Sequence, residues 1–421
     1  VSFRPTKKGP SSLLRGSVRD KLKRLPTKRK KSRSVQRKPL FLSISNNPIG
    51  DAGMIAIAES ILATGGCLQS LCLRGNVLTD DAASALGNML RSAGTASPLT
   101  NLDLSSCKLG RFGLAAIAQA LMTSSLMSLN LGNNLSMHSI KPMIGVTDKI
   151  GTSLGRLLST SAYLTDLNIE GNAFVPKEME EIVTGMASNY SLTKLNISNT
   201  EATGKISRLL AYSLMINKKN ALRHLNLSNN SIGDARFIDD YASLCSHQHI
   251  SLTVLNLSGN VIDDISATKF GKAMKSKFCR LQVLRLDSTH RSRSSNAATI
   301  TCNGFGELIR GAAASIPGVQ RTRLTFLSVR FHEVRSTGAT LLAGLLRTTK
   351  LKVVDLSHNK ISESGAVGIA YALVDKNGDN GDNRLGNDKD EMQSPRTKVL
   401  MDGNPMGDTA RAVLKEMKLL W

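Results

Sequence analysis

The stretches LRHLNLSNNSI (222–232) and LTVLNLSGNVI (252–262) carry one pattern, LxxLxLxxNxL. Working outward, LTKLNISNTEA (192–202) and LTDLNIEGNAF (164–174) repeat it, as do LQSLCLRGNVL (68–78) and LTNLDLSSCKL (99–109), with Cys107 in the Asn place. Weaker copies begin at Leu40, Leu126, Leu281, Leu324 and Leu351, and the last is VLMDGNPM (399–406). That makes twelve copies, with the Asn-equivalent position at 47, 76, 107, 134, 172, 200, 230, 260, 289, 332, 359 and 404. Most spacings are 27–31 residues; three longer ones mark insertions near 136–150, 288–303 and 374–396. A fixed period of this size means a repeat array and not a set of separate globular domains.

Between copies the periodicity becomes helical, as in DAGMIAIAESILAT (51–64) and RFGLAAIAQALMTS (111–124). Apolar residues there recur at three and four positions, with Ala allowing close helix approach. A strand followed by a helix every 29 residues or so is the unit of an α/β solenoid. The leucines fill a continuous core and short strands form a parallel sheet on the concave side. The Asn turns the chain out of the strand, its amide satisfying backbone groups that would otherwise be buried and orphaned. Residues 40–421 thus resemble the ribonuclease-inhibitor-like class of leucine-rich repeat proteins. The resemblance implies a horseshoe and a scaffold that holds protein partners on its curved surface. It implies no shared chemistry, because the class shares an architecture only. DTARAVLKEMKLLW (408–421) reads as the helix that closes the array.

The 421 residues include 55 Lys plus Arg against 32 Asp plus Glu, a net charge of +23. A hydrophobic content of 41% excludes wholesale disorder, and 4% aromatics argues against a sandwich and against rows of stacked bases. No apolar stretch approaches the roughly 20 residues that span a bilayer, so no membrane contact is expected. The six cysteines are scattered and read as reduced thiols. Charge is unevenly placed. Residues 1–38 hold 15 basic residues and one acid, whereas 39–200 carry a net −2. Residues 201–360 return to a net +13, and 361–421 to −2. The chain therefore divides into a basic arm, 1–38, ordered only when bound, and a repeat domain, 39–421.

Chemical motifs are few. GTSLG (151–155) matches a nucleophile elbow as a string, but it opens a helix and lacks the required strand before it, so Ser153 is structural. DKNGDNGDNRLG (375–386) resembles a calcium loop, with its turn glycine displaced to Gly381 and Gly386 where a bidentate Glu is needed. Cys245, His247 and His249 form CxHxH without a second ligand pair at zinc spacing. Asn196, Asn226, Asn229 and Asn256 head glycosylation sequons, three of them inside expected strands. A GTPase-activator reading would rest on Arg74 alone. No enzyme activity, cofactor, metal or small-molecule substrate is expected.

Two surfaces remain. At the central concave position five successive copies place Asn130, Asn168, Asn196, Asn226 and Asn256. They read either as a protein-binding face or as a solvated ladder of cross-strand amides. Positive charge lies elsewhere. The arm carries Arg15, Arg19, Lys23 and Arg24 opposite an apolar helical stripe, then Lys28, Arg29, Lys30, Lys31, Arg33, Arg37 and Lys38 in a run without an apolar face. A later block carries Lys269, Lys272, Lys275, Lys277, Arg291 and Arg293, with Arg285 and Arg330 at concave positions. These charges suit a phosphate backbone. The expected function is a non-catalytic scaffold of a large ribonucleoprotein, an organellar ribosome or its assembly intermediate. It would bind rRNA by arm and block, and protein neighbours by the repeat surface. The preferred compartment is the mitochondrial matrix. The alternative is a protein-interaction module of nucleus, cytoplasm or cilium, its arm a targeting signal.

Overall fold

A computed structural model of the chain describes residues 40–63, 68–136, 149–230, 232, 235–289, 299–314, 322–378 and 397–416. All eleven arm residues named above, and Arg291 and Arg293, lie outside the described residues, as do most of the three insertions. Each of the twelve copies forms a strand. The first unit, through Thr200, holds β1 (Leu40–Ser43), β2 (Leu68–Cys72), β3 (Asn101–Asp103), β4 (Ser128–Asn130), β5 (Asp166–Asn168) and β6 (Lys194–Asn196). Between these run α1 (Gly50–Ala63), α2 (Asp80–Ala93), α3 (Arg111–Leu121), α4 (Lys149–Thr160) and α5 (Pro176–Gly185).

The second unit starts with α6 (Gly204–Ile216) and holds β7 (His224–Asn226), β8 (Val254–Asn256), β9 (Val283–Arg285), β10 (Phe326–Ser328), β11 (Val353–Asp355) and β12 (Lys398–Leu400). Its other helices are α7 (Ala235–Cys245), α8 (Asp264–Met274), α9 (Cys302–Ala313), α10 (Arg335–Leu345), α11 (Glu363–Gly378) and α12 (Asp408–Glu416). In each unit the strands pair in sequence order and all run parallel. No described helix is long and apolar enough to cross a membrane.

Strand leucines such as Leu71, Leu104, Leu167, Leu227 and Leu255 are fully buried between sheet and helices. The polar ladder predicted from the Asn positions is present and goes further than one bond per turn. Asn134 Oδ1 accepts from the N–H groups of Cys107 and Leu109, and its Nδ2 donates to the Leu104 and Leu131 carbonyls. Asn172 does the same one repeat on, accepting from Asn134 and Leu135 and donating to Leu131 and Ile169. Asn404 ties in Asn359, Ile361, Leu356 and Met401. Each side chain closes its own turn and clips it to the turn before.

Four copies place another residue there (Cys107, Thr200, Thr289 and His332), and three of these solve the problem differently. Cys107 donates its thiol to the Leu73 carbonyl, and burial pushes its pKa up to about 11, so it stays a neutral donor. Thr200 donates to the Ile197 carbonyl. His332 spans the gap with a ring: Nδ1 accepts from the Ile300 N–H at 3.0 Å and Nε2 faces the Leu286 carbonyl at 2.7 Å. That pairing needs the neutral ring with its proton on Nε2.

A second buried device ties helices two repeats apart. Glu178, in the first turn of α5, is wholly buried. Its carboxylate accepts from Arg111 Nε at 2.8 Å and from the Val175 N–H at 2.9 Å, while Arg111 Nη2 donates to the Ala173 carbonyl. Arg111 opens α3, so the pair reaches past α4. Beside it α4 and α5 lie backbone on backbone: a Cβ at Gly185 would sit 2.4 Å from the Gly155 carbonyl oxygen.

Replacing Arg111 by Ala strands a buried carboxylate and is expected to cost about 3–5 kcal/mol in denaturant unfolding, where a neutral result would remove the pair from the core. Burial lowers the His332 pKa below its ordinary 6.5, although the Leu286 bond opposes this. The unfolded chain therefore binds the proton more readily, and stability is full above the ordinary value and falls as pH drops below it. His332→Asn keeps an acceptor and a donor and should unfold with a shallower decline between neutral and mildly acid pH; identical slopes would contradict the assignment.

Candidate protein-binding surface

Parallel register aligns the strand positions that face away from the helices into columns. In the second unit the first column reads His224, Val254, Val283, Phe326, Val353 and Lys398, each residue opposite the next, with four apolar members in the middle. All four apolar residues are half-buried, beside a second column that is polar as far as Asp355. The second column reads Asn226, Asn256, Arg285, Ser328 and Asp355. Arg285 is exposed, with its guanidinium 4.5 Å from the centre of the Phe326 ring. Beyond it lie Asp287 and Arg330, whose guanidinium stands 5.1 Å from the Phe331 ring.

Phe331 is conformationally unusual. The residue before the ladder position takes a left-handed backbone in most copies, as at Gly171 (φ 66°), Asn229 (54°) and Gly259 (77°). Gly and Asn accept that conformation; a bulky aromatic does not without cost. Phe331 adopts it at φ 59°, with its ring stacked 4.3 Å from that of His358. His358 in turn overlies Gly403, where a Cβ would fall 2.1 Å from the imidazole.

The predicted Asn row is real but its chemistry differs from a cross-strand ladder. Asn130, Asn168, Asn196, Asn226 and Asn256 sit in register within their units, and each Oδ1 accepts from the N–H two residues on. The amide caps its own strand exit, because a three-residue strand leaves that N–H without a ladder partner. In the first unit the face satisfies itself: Lys194 pairs with Asp166 at 3.0 Å, and Asn196 Nδ2 donates to Glu170 at 2.7 Å.

Lys269 and Lys272 project from α8, in the helix layer, and Lys275 and Lys277 follow it. Lys269 is paired with Asp239, so the sequence-predicted basic block does not share a face with the Asn row. Two of the other motifs fall at buried helical positions. Ser153 is buried in α4 and accepts from Gln119. The calcium-like stretch begins inside α11, and Asp379 onward lies outside the described residues. Cys245 is buried with its pKa raised by burial, and no metal-binding group of side chains occurs among the described residues. Sequence reading places Arg285 and Arg330 on this face but passes over the apolar column. Its signal is the second variable residue of copies eight to eleven, V, V, F and V.

The family description "Leucine Rich repeat" matches residues 40–58, 218–235, 248–271 and 348–370. Ribonuclease inhibitor of Sus scrofa is 27% identical over 339 residues, 79% of this chain and 67% of the inhibitor. This chain is a leucine-rich-repeat protein of the ribonuclease-inhibitor-like class. The "Capping protein, Arp2/3 and myosin-I linker protein 3" of Homo sapiens is also 27% identical, over 79% of this chain. The leucine-rich-repeat chain spans only 23% of that protein's length. Among solved structures, an internalin from Listeria monocytogenes aligns over 98% of this chain and 94% of its own, with 14% identity and a TM-score of 0.46. A leucine-rich-repeat protein of this kind is a protein–protein interaction module.

Proposed function

We propose that this leucine-rich-repeat protein is a non-catalytic scaffold that holds a protein partner on the open sheet face of its second unit. The observation that carries the reading is the apolar column Val254–Val283–Phe326–Val353 beside two guanidiniums. Apolar anchors next to arginine are what the energetic centre of a protein interface requires. The resemblance to ribonuclease inhibitor supports the architecture and not the partner.

Charge favours a second role that is compatible with the first. The 15 basic residues of segment 1–38 and the excess of 13 over residues 201–360 suit attachment to a phosphate backbone. This is the ribonucleoprotein reading, with rRNA as the polyanion and the mitochondrial matrix as compartment. Separate surfaces would then carry the two partners, the arm and the helix-layer lysines for RNA and the sheet face for protein.

Phe326→Ser tests the first role by affinity purification with quantitative mass spectrometry, alongside thermal unfolding to confirm folding. Retention of a specific protein partner should fall by roughly tenfold or more, as for a central anchor. RNA recovered with the variant should not change. Unaltered protein retention would remove the sheet face from the interaction, and nuclease-sensitive loss of the same partner would mean that RNA bridges it.

A further inference from the structure

We infer that the segment received by this face is acidic: an extended stretch of the partner that sets carboxylates beside aliphatic or aromatic side chains. The inference rests on the protein-binding reading above and adds the partner's chemistry. It comes from which hydrogen-bonding groups of the face are already occupied. Asn226 and Asn256 direct Oδ1 to the N–H groups of Ser228 and Ser258. Asp287 accepts from Ser328 Oγ and the Arg330 N–H through one oxygen and from Ser258 Oγ through the other. Asp355 Oδ1 accepts from the N–H and hydroxyl of Ser357, and Oδ2 faces Arg330 Nε at 3.7 Å, too far for a hydrogen bond.

Apart from Asp355 Oδ2, which is ion-paired with Arg330, the carboxylate and amide oxygens of the patch are hydrogen-bonded within it, and donors are left over. Among the described residues, Nδ2 of Asn226 and Asn256 and the guanidinium of Arg285 meet no protein acceptor. Arg330 Nε is buried without a hydrogen bond. A buried donor of this sort gains most from an acceptor supplied by a partner. Around the patch Arg223 and Lys352 are exposed, within a block of 23 basic and 10 acidic residues over 201–360. A basic partner would meet guanidiniums with no free carboxylate to answer it. Single-stranded RNA fits less well. Three of the four apolar column residues are valines, and Arg285 already covers the Phe326 ring, whereas base stacking needs open aromatic faces.

The test titrates the full chain, at physiological ionic strength, into a fluorescein-labelled peptide repeating Asp-Glu-Leu-Phe and reads anisotropy. Parallel probes are its amide counterpart, repeating Asn-Gln-Leu-Phe, and a labelled oligouridylate. The acidic peptide should bind roughly tenfold or more tightly than the amide peptide. The double variant Arg285→Gln, Arg330→Gln should lose a similar factor while keeping its thermal transition. Equal binding of the two peptides overturns the inference. So does acidic-peptide binding that survives the double variant, since the basic arm then accounts for it. Oligouridylate binding that depends on the same two arginines and exceeds peptide binding also overturns it, in favour of RNA on this face. The native partner separates the two levels of argument. A partner lost in Phe326→Ser but retained by the arginine double variant ends the acidic-segment inference and leaves the protein-binding reading intact. A partner retained by Phe326→Ser ends that reading itself.

Discussion

Most turns of this protein depend on one side chain placed where the strand ends. After only three strand residues the chain must bend away from the sheet, and the bend leaves backbone N–H and C=O groups pointing into the interior. An amide answers both kinds at once, as Asn134 and Asn172 do by accepting and donating from the same side chain. An unmet buried group costs about 1–3 kcal/mol, so the side chain at this position contributes directly to closing the turn. Three of the four substitutions respect that rule. Cys107 and Thr200 keep a donor, and His332 keeps a donor and an acceptor on opposite sides of a ring.

Closing the turn this way has a consequence for recognition. The ladder consumes backbone groups on the inside and leaves the outward strand positions freer to vary, although the last of them in many copies still caps the strand exit. In the first unit they vary towards mutual satisfaction, with Lys194 on Asp166 and Asn196 on Glu170. In the second unit they accumulate valines, a phenylalanine and arginines whose counter-charges are already engaged. Phe331 points the same way. A bulky residue holds a left-handed conformation that most copies give to Gly or Asn, with its ring stacked on His358 and close to the Arg330 guanidinium. Strain of that kind persists only where the surroundings enforce it.

The two charged surfaces are separated by the same geometry. Lys269 and Lys272 occupy helix positions in the layer behind the sheet, whereas Arg285 and Arg330 occupy strand and turn positions. In sequence they form one basic block. In the fold they belong to opposite layers of the repeat.

The fold is fully legible in the amino-acid sequence. A period of 27–31 residues, with leucines at fixed offsets and one polar residue to close the turn, admits no other packing, and all twelve strands lie where the copies do. Local chemistry is legible for the same reason: Ser153 in GTSLG belongs to a helix because the period puts a helix there. What the sequence leaves open is any property that depends on neighbours from other repeats. The Asn row could be a cross-strand ladder or a set of strand caps, and only the register and the hydrogen bonds decide for caps. Val254, Val283, Phe326 and Val353 are separated by 27–43 residues and become one surface only when the strands stand side by side. Likewise Arg111 and Glu178 lie 67 residues apart, and no local pattern announces that a helix start two repeats away will bury a carboxylate against it. Repetition in the chain sets which residues are inside; stacking of the repeats sets which outward residues meet.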